Sequence, residues 1–112
     1  MAKILTLNAI SKKGLARLPE GYGVGNDVAE PDGILVRSQN MHGMAIPASV
    51  LAIGRAGAGT NNIPVKQMSE RGVVVFNAPG ANANAVKELV LAGLLLGARH
   101  IGPALDFVRS LD

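Results

Sequence analysis

Short aliphatic runs alternate with polar or helix-compatible stretches through the first 76 residues, and glycine, proline and asparagine mark the joints. Ile4-Leu5-Thr6-Leu7, Tyr22 to Gly25, Ile34-Leu35-Val36, Leu51-Ala52-Ile53 and Val73-Val74-Val75-Phe76 read as strands. Between and after them, helices are expected over Ser11 to Leu18 and over Val65 to Arg71. A short helical entry is expected at Ile46 to Ser49, and a long helix over Ala85 to Arg99. Asn62 is the expected cap of the Val65 helix, with Pro64 in its first turn, and Asn82 or Asn84 that of the last helix. Strands alternating with helices through short, glycine-marked joints argue for parallel pairing, because parallel strands need crossover connections. The pattern therefore predicts an α/β fold, a parallel sheet with helices on both faces.

The core of such a sheet has to be aliphatic here, because the chain holds one Tyr, two Phe and no Trp. At 112 residues it fits one domain. A formal charge of +3, spread without a basic stripe and with few rings for base stacking, argues against nucleic acid as a partner. The absence of cysteine excludes disulfides and thiolate metal sites and fits a reducing cytoplasm, the expected location. No set of His, Asp and Glu has metal-ligand spacing. Met1 to Leu7 lacks a signal-peptide cleavage pattern. The longest apolar run, Leu89 to Ala98, is about half of the ~20 residues a span requires, so a soluble chain with no membrane partner is expected.

Ligands of open parallel sheets bind at the carboxyl ends of strands. Two of the expected strands end in arginine there: Ile34-Leu35-Val36 runs into Arg37-Ser38, and Leu51-Ala52-Ile53 into Gly54-Arg55. Each arginine alone fits a solvated surface better than a binding site. Together, with Gly57-Ala58-Gly59 beside Arg55, they favour an anion site in which guanidinium forks and glycine-loop N–H groups meet a carboxylate or phosphate. The segment Arg55 to Asn62 is not a dinucleotide fingerprint. Asn62 stands where the third glycine belongs, the following helix is short, and no acidic residue ends a strand about 20 residues on. His42 and His100 have no partner carboxylate or serine nearby in sequence and read as surface residues.

Several segments resemble the D-2-hydroxyacid dehydrogenases. They are Leu35-Val36-Arg37-Ser38, the run from Ala52 to Ile63, Gly72 to Asn82, and Val86-Lys87-Glu88-Leu89, all in the family's order and spacing. Lys87 departs from the small residue common at its position. The resemblance implies a flavodoxin-like substrate domain over residues 1–99, including a helix that crosses between domains, and a link toward a nucleotide-binding domain over 100–112. It places Arg37, Ser38, Arg55, Ala56, Gly57, Ala58 and Gly59 at the phosphate and carboxylate of a small phosphorylated 2-hydroxy acid, and Ala58 and Asn82 toward NAD. The family's catalytic Arg, Glu and His have no counterparts here, so the chain is expected to be an inactive N-terminal segment of a longer enzyme. Two other functions stay open beside this one: a non-catalytic phosphate- or carboxylate-binding module, and an assembly module. The nearly all-apolar last helix predicts a homo-oligomer, with helix exchange between copies.

Overall fold

The computed structural model describes residues 1–111. Its elements in chain order are β1 (Lys3–Leu7), α1 (Lys12–Leu15), β2 (Gly23–Gly25), β3 (Gly33–Val36), β4 (Ala52–Arg55), α2 (Val65–Glu70), β5 (Val74–Phe76), α3 (Ala83–Ala98) and α4 (Ile101–Arg109). The strands form one sheet in the order β2-β1-β3-β4-β5, and every neighbouring pair is parallel. That is the doubly wound, flavodoxin-like order. Because β2 joins one edge of β1 and β3 the other, the winding reverses between β1 and β3. A crevice opens at their carboxyl ends in consequence.

The core consists of Ile34, Val36, Met41, Val50, Ile53, Ile63, Met68 and Val73, with Leu5, Leu7, Met44, Ile46 and Val75 packed against it. It is aliphatic, as the shortage of aromatic residues requires, and Met41 and Met68 fill its irregular gaps. Central strand β3 is buried at three of its four residues. Outer strand β5 leaves Val74 and Phe76 more than half exposed.

The elements depart from the sequence expectations where local hydrogen bonding competes with the regular ladder. Helix α1 is half its expected length, because after Gly14 the chain tightens into three-residue turns, Arg17 N to Gly14 O at 3.1 Å and Leu18 N to Leu15 O at 3.0 Å. No helix forms at Ile46 to Ser49. The carbonyls of Ile46 and Pro47 instead accept hydrogen bonds from Arg71 Nη1 at 3.1 Å and Nη2 at 2.9 Å. The loop around them buries Met41 and Val50 and so covers the sheet without a helix. Pro64 occupies the cap position of α2 that was expected for Asn62. Val73 drops out of β5 because its N–H closes the end of α2 on Met68 O at 2.8 Å.

The described chain divides into two compact units, one from Met1 to Pro79 and one from Gly80 onward. The second unit consists of α3 and α4, and no side chain in it is buried. Helix α4 stands where a link was expected. Pro103 is tolerated there because it falls in the first helical turn, where the N–H has no intrahelical partner. His100, in the left-handed conformation at φ 48°, separates α4 from α3. Among the described residues no single helix is long and apolar enough to cross a membrane; α3 and α4 pass on length and composition only as a pair, bent by 59°.

Removing buried volume from the middle of the sheet should be costly. Ile53 is fully buried on β4 between β3 and β5. Ile53→Ala is expected to lower stability by about 3 kcal/mol. Urea unfolding followed by far-UV circular dichroism measures that loss.

Candidate anion-binding site

The parallel register places Val36 beside Arg55, so β3 and β4 end at the same level. Ala56 N donates to Val36 O at 2.8 Å, which extends the pairing one step into the loop. From there the chain folds around the Arg55 side chain. Arg55 Nε donates to Arg37 O at 3.0 Å, and Nη1 donates to Gly59 O. A Cβ at Gly57 or Gly59 would stand 3.1 or 3.2 Å from Arg55 Nη1, so the glycines admit the guanidinium as well as any ligand.

The carbonyls of Gly57 and Ala58 are also taken. Gly57 O accepts from Ala78 N at 3.0 Å and Ala58 O from Asn77 Nδ2 at 2.8 Å. The chain leaving β5 thus holds the loop that leaves β4. The N–H groups of Gly57, Ala58 and Gly59, by contrast, make no hydrogen bond among the described residues. A loop whose carbonyls are occupied and whose N–H groups are free presents positive dipole ends, the polarity that suits an anion. Its far end is braced by His42, whose Nε2 donates to Asn61 O at 2.8 Å. The expectation that His42 is exposed agrees with the structure, although the ring has this local task.

Arg37 and Ser38 follow directly from β3 and are exposed. The Arg37 side chain makes no hydrogen bond or ion pair among the described residues, where the one ion pair is Arg109 with Asp106 at 3.7 Å. Neither Arg37 to Gly43 nor Arg55 to Asn62 contains a carboxylate. Both arginines therefore keep uncompensated charge, Arg55 through Nη2 and Arg37 through its whole fork. A cavity of about 350 Å³ lies at the sheet's switch point, lined by Ala9, Ile10, Ser11, Arg37 and Ala56. Ala56 closes this cavity and opens the glycine loop, so the two features are continuous along the chain.

Of the residues named from the sequence, Arg37 and Ala56 meet in the cavity. Arg55, Gly57, Ala58 and Gly59 form the adjoining loop, and Ser38 sits beside Arg37. Asn82 belongs to the second unit, at the start of α3, and its side chain makes no capping hydrogen bond. The role that sequence reasoning did not assign is that of the asparagines that tie the loops together, Asn62 having been expected only as a cap. Asn62 Nδ2 donates to Gln39 O at 2.8 Å and Arg37 O at 3.3 Å, and Asn8 Oδ1 accepts from Ser38 N and Gln39 N. The available signal was position: Asn8, Asn62 and Asn77 all lie in the joints after β1, β4 and β5.

A family model, D-isomer specific 2-hydroxyacid dehydrogenase, catalytic domain, matches residues 23–100. A D-3-phosphoglycerate dehydrogenase of Archaeoglobus fulgidus is 40% identical over 81 residues, which cover 70% of this chain and 15% of that protein. Among solved structures, the NAD+-bound 3-phosphoglycerate dehydrogenase of Entamoeba histolytica aligns with a TM-score of 0.66 at 25% identity, covering 86% of this chain and 39% of that one. An NADPH-dependent glyoxylate/hydroxypyruvate reductase of Sinorhizobium meliloti shares the fold with a TM-score of 0.78 at 22% identity, covering 98% and 39%.

The Arg55 fork is the testable element of this geometry. A lysine offers one ammonium in place of a rigid planar fork and cannot hold both carbonyls. Arg55→Lys is expected to cost about 1–3 kcal/mol. The Ala78 amide, which depends on the loop for its acceptor, should exchange with solvent faster, as hydrogen exchange by NMR would report.

Proposed function

The chain belongs to the D-2-hydroxyacid dehydrogenase family, and from that premise we propose that it supplies the substrate-side anion site of an NAD-dependent D-3-phosphoglycerate dehydrogenase. The observation that carries this reading is the pairing of free N–H groups at Gly57, Ala58 and Gly59 with the unpaired fork of Arg37 across a continuous surface. Two separated anion anchors suit a ligand charged at both ends. The glycine loop and Arg55 Nη2 take the carboxylate; Arg37 and Ser38 take the phosphate. A 2-hydroxy acid held by both ends has its C2 fixed between them, which is the orientation a hydride transfer needs.

The reaction of the whole enzyme oxidises 3-phosphoglycerate to 3-phosphohydroxypyruvate, the hydride of C2 passing to NAD and the hydroxyl proton to a base. This chain contributes binding and orientation. Within the first unit, its share of the cofactor site is the Ala58 N–H, because the loop after β4 lacks the third glycine and leads into a six-residue helix. The chain spans about 15% of the length of the Archaeoglobus relative; among the described residues the loop holds no carboxylate, and His42 beside it is bonded to Asn61 O. The chain by itself is therefore a recognition element without turnover.

The second reading, an assembly role, rests on α3. Leu89, Leu94 and Leu95 are each more than 60% exposed, and the helix is apolar apart from Asn84, Lys87 and Glu88 in its first turns. Those two charges are adjacent and opposite, so two copies of α3 meet without net repulsion. An apolar surface of this kind associates in water, and its occupant in this proposal is a second copy of the chain, with helices exchanged or packed face to face.

Calorimetry tests the first reading. The chain is expected to bind 3-phosphoglycerate about tenfold more tightly than glycerate, with the preference gone in Arg37→Ala. Equal affinity for the two acids, or no heat at millimolar ligand, would remove the anion assignment. Mixing the chain with 3-phosphoglycerate and NAD should give no rise in NADH absorbance. Light scattering should show a dimer or larger species, and a monomer at high protein concentration would eliminate the assembly role.

A further inference from the structure

The segment that carries Arg37 and Ser38 lies beyond the end of β3, yet its backbone is tied down by side chains from three other places. Arg55 and Asn62 hold the Arg37 carbonyl, and Asn62 also holds that of Gln39. The N–H groups of Ser38 and Gln39 are both held by one atom, Asn8 Oδ1, at 2.9 and 2.6 Å, across 30 and 31 residues of sequence. Asn8 is the first residue after β1 and adopts φ 67°. Asparagine is one of the few residues other than glycine that enter this left-handed region routinely. That turn brings its amide oxygen to the end of β3.

Asn8 also begins the turn that continues through Ala9, Ile10 and Ser11, the residues that line the cavity together with Arg37 and Ala56. One side chain therefore fixes the stretch bearing the cation and starts the turn forming the rest of the wall. The Arg37 fork has no internal partner among the described residues. No side-chain partner anchors it, so its origin and starting direction come from the backbone, which Asn8 holds on the amide side. We infer that Asn8 is a positioning residue for anion recognition: it aims Arg37 into the cavity and sets the distance between Arg37 and the Ile10–Ser11 wall. The substituent that fits beside the anion is in this way selected partly by the turn after β1. The inference rests on the anion-site reading of Arg37.

Asn8→Gly keeps the left-handed turn without strain and deletes only the acceptor. It is expected to weaken 3-phosphoglycerate binding roughly tenfold in calorimetry. The amides of Ser38 and Gln39 should exchange faster in the same variant, while those of Ile34 and Ile53 keep the wild-type rate. In an Arg37→Ala background the same change should produce no further loss of affinity, because its effect passes through Arg37. Asn8→Asp, which retains the acceptor, should restore slow exchange at Ser38 and Gln39. An equal loss of affinity in both backgrounds, or unchanged binding in Asn8→Gly, overturns the inference. Should the wild-type chain bind neither acid, the anion reading itself falls; unchanged exchange at Ser38 and Gln39 then overturns the role of Asn8 as well, and faster exchange upholds its hold on the segment.

Discussion

The fork of Arg55 is the interaction on which the candidate site depends. It joins the carbonyl that follows β3 to the carbonyl that ends the glycine loop, and so makes two strand ends into one surface. An arginine used in this way is partly a structural strut. Two of its donors are committed inside the protein, and only the remaining edge faces a ligand. The charge is not lost by this commitment, because carbonyl oxygens stabilise a guanidinium without neutralising it. The loop thus gains rigidity and keeps a positive field.

Backbone geometry supplies most of the remainder. Reversal of the winding between β1 and β3 opens the crevice, and the carboxyl ends of β1, β3 and β4 all contribute to it. Recognition by N–H groups at Gly57, Ala58 and Gly59 asks for the absence of side chains there. The specificity then has to come from neighbours, namely Arg37 and the turn after β1. The asparagines at the loop joints do the aligning. Each satisfies a backbone group that the end of a strand leaves open, and Asn62 does so although its own Oδ1 is buried without a partner among the described residues.

The parallel sheet was legible in the sequence because strand and joint signals agreed along Ile34 to Phe76, and tertiary packing reinforced them. The glycine loop and both arginines could be placed at strand ends for the same reason. Three features could not be read. The side chain of Arg71 replaces helix hydrogen bonds at Ile46 and Pro47, a contact 24 to 25 residues distant in sequence. Asn62 sits ahead of a helix, like a cap, but spends its amide on Arg37 and Gln39. Asn8 acts through a backbone conformation that one sequence does not reveal. In each case the outcome is decided by a partner distant in sequence, which local propensity does not register.

The openness of the site decides how strongly it can act. Hydrogen bonds from exposed N–H groups to an anion replace hydrogen bonds to water, and the net gain per bond is on the order of 1 kcal/mol. A guanidinium–phosphate pair at the surface is screened in the same way. In the proposed anion site, the geometry at Arg37 and Gly57 to Gly59 would accordingly govern ligand preference more than affinity. Tight binding requires those same donors in a drier setting, where each charge interaction grows as the surrounding dielectric falls. Within the first unit, Arg37, Ser38, Ala58 and Gly59 remain exposed. Affinity is therefore the property that covering this face would change most, while the backbone that carries these donors is already held by Arg55, Asn8 and Asn62.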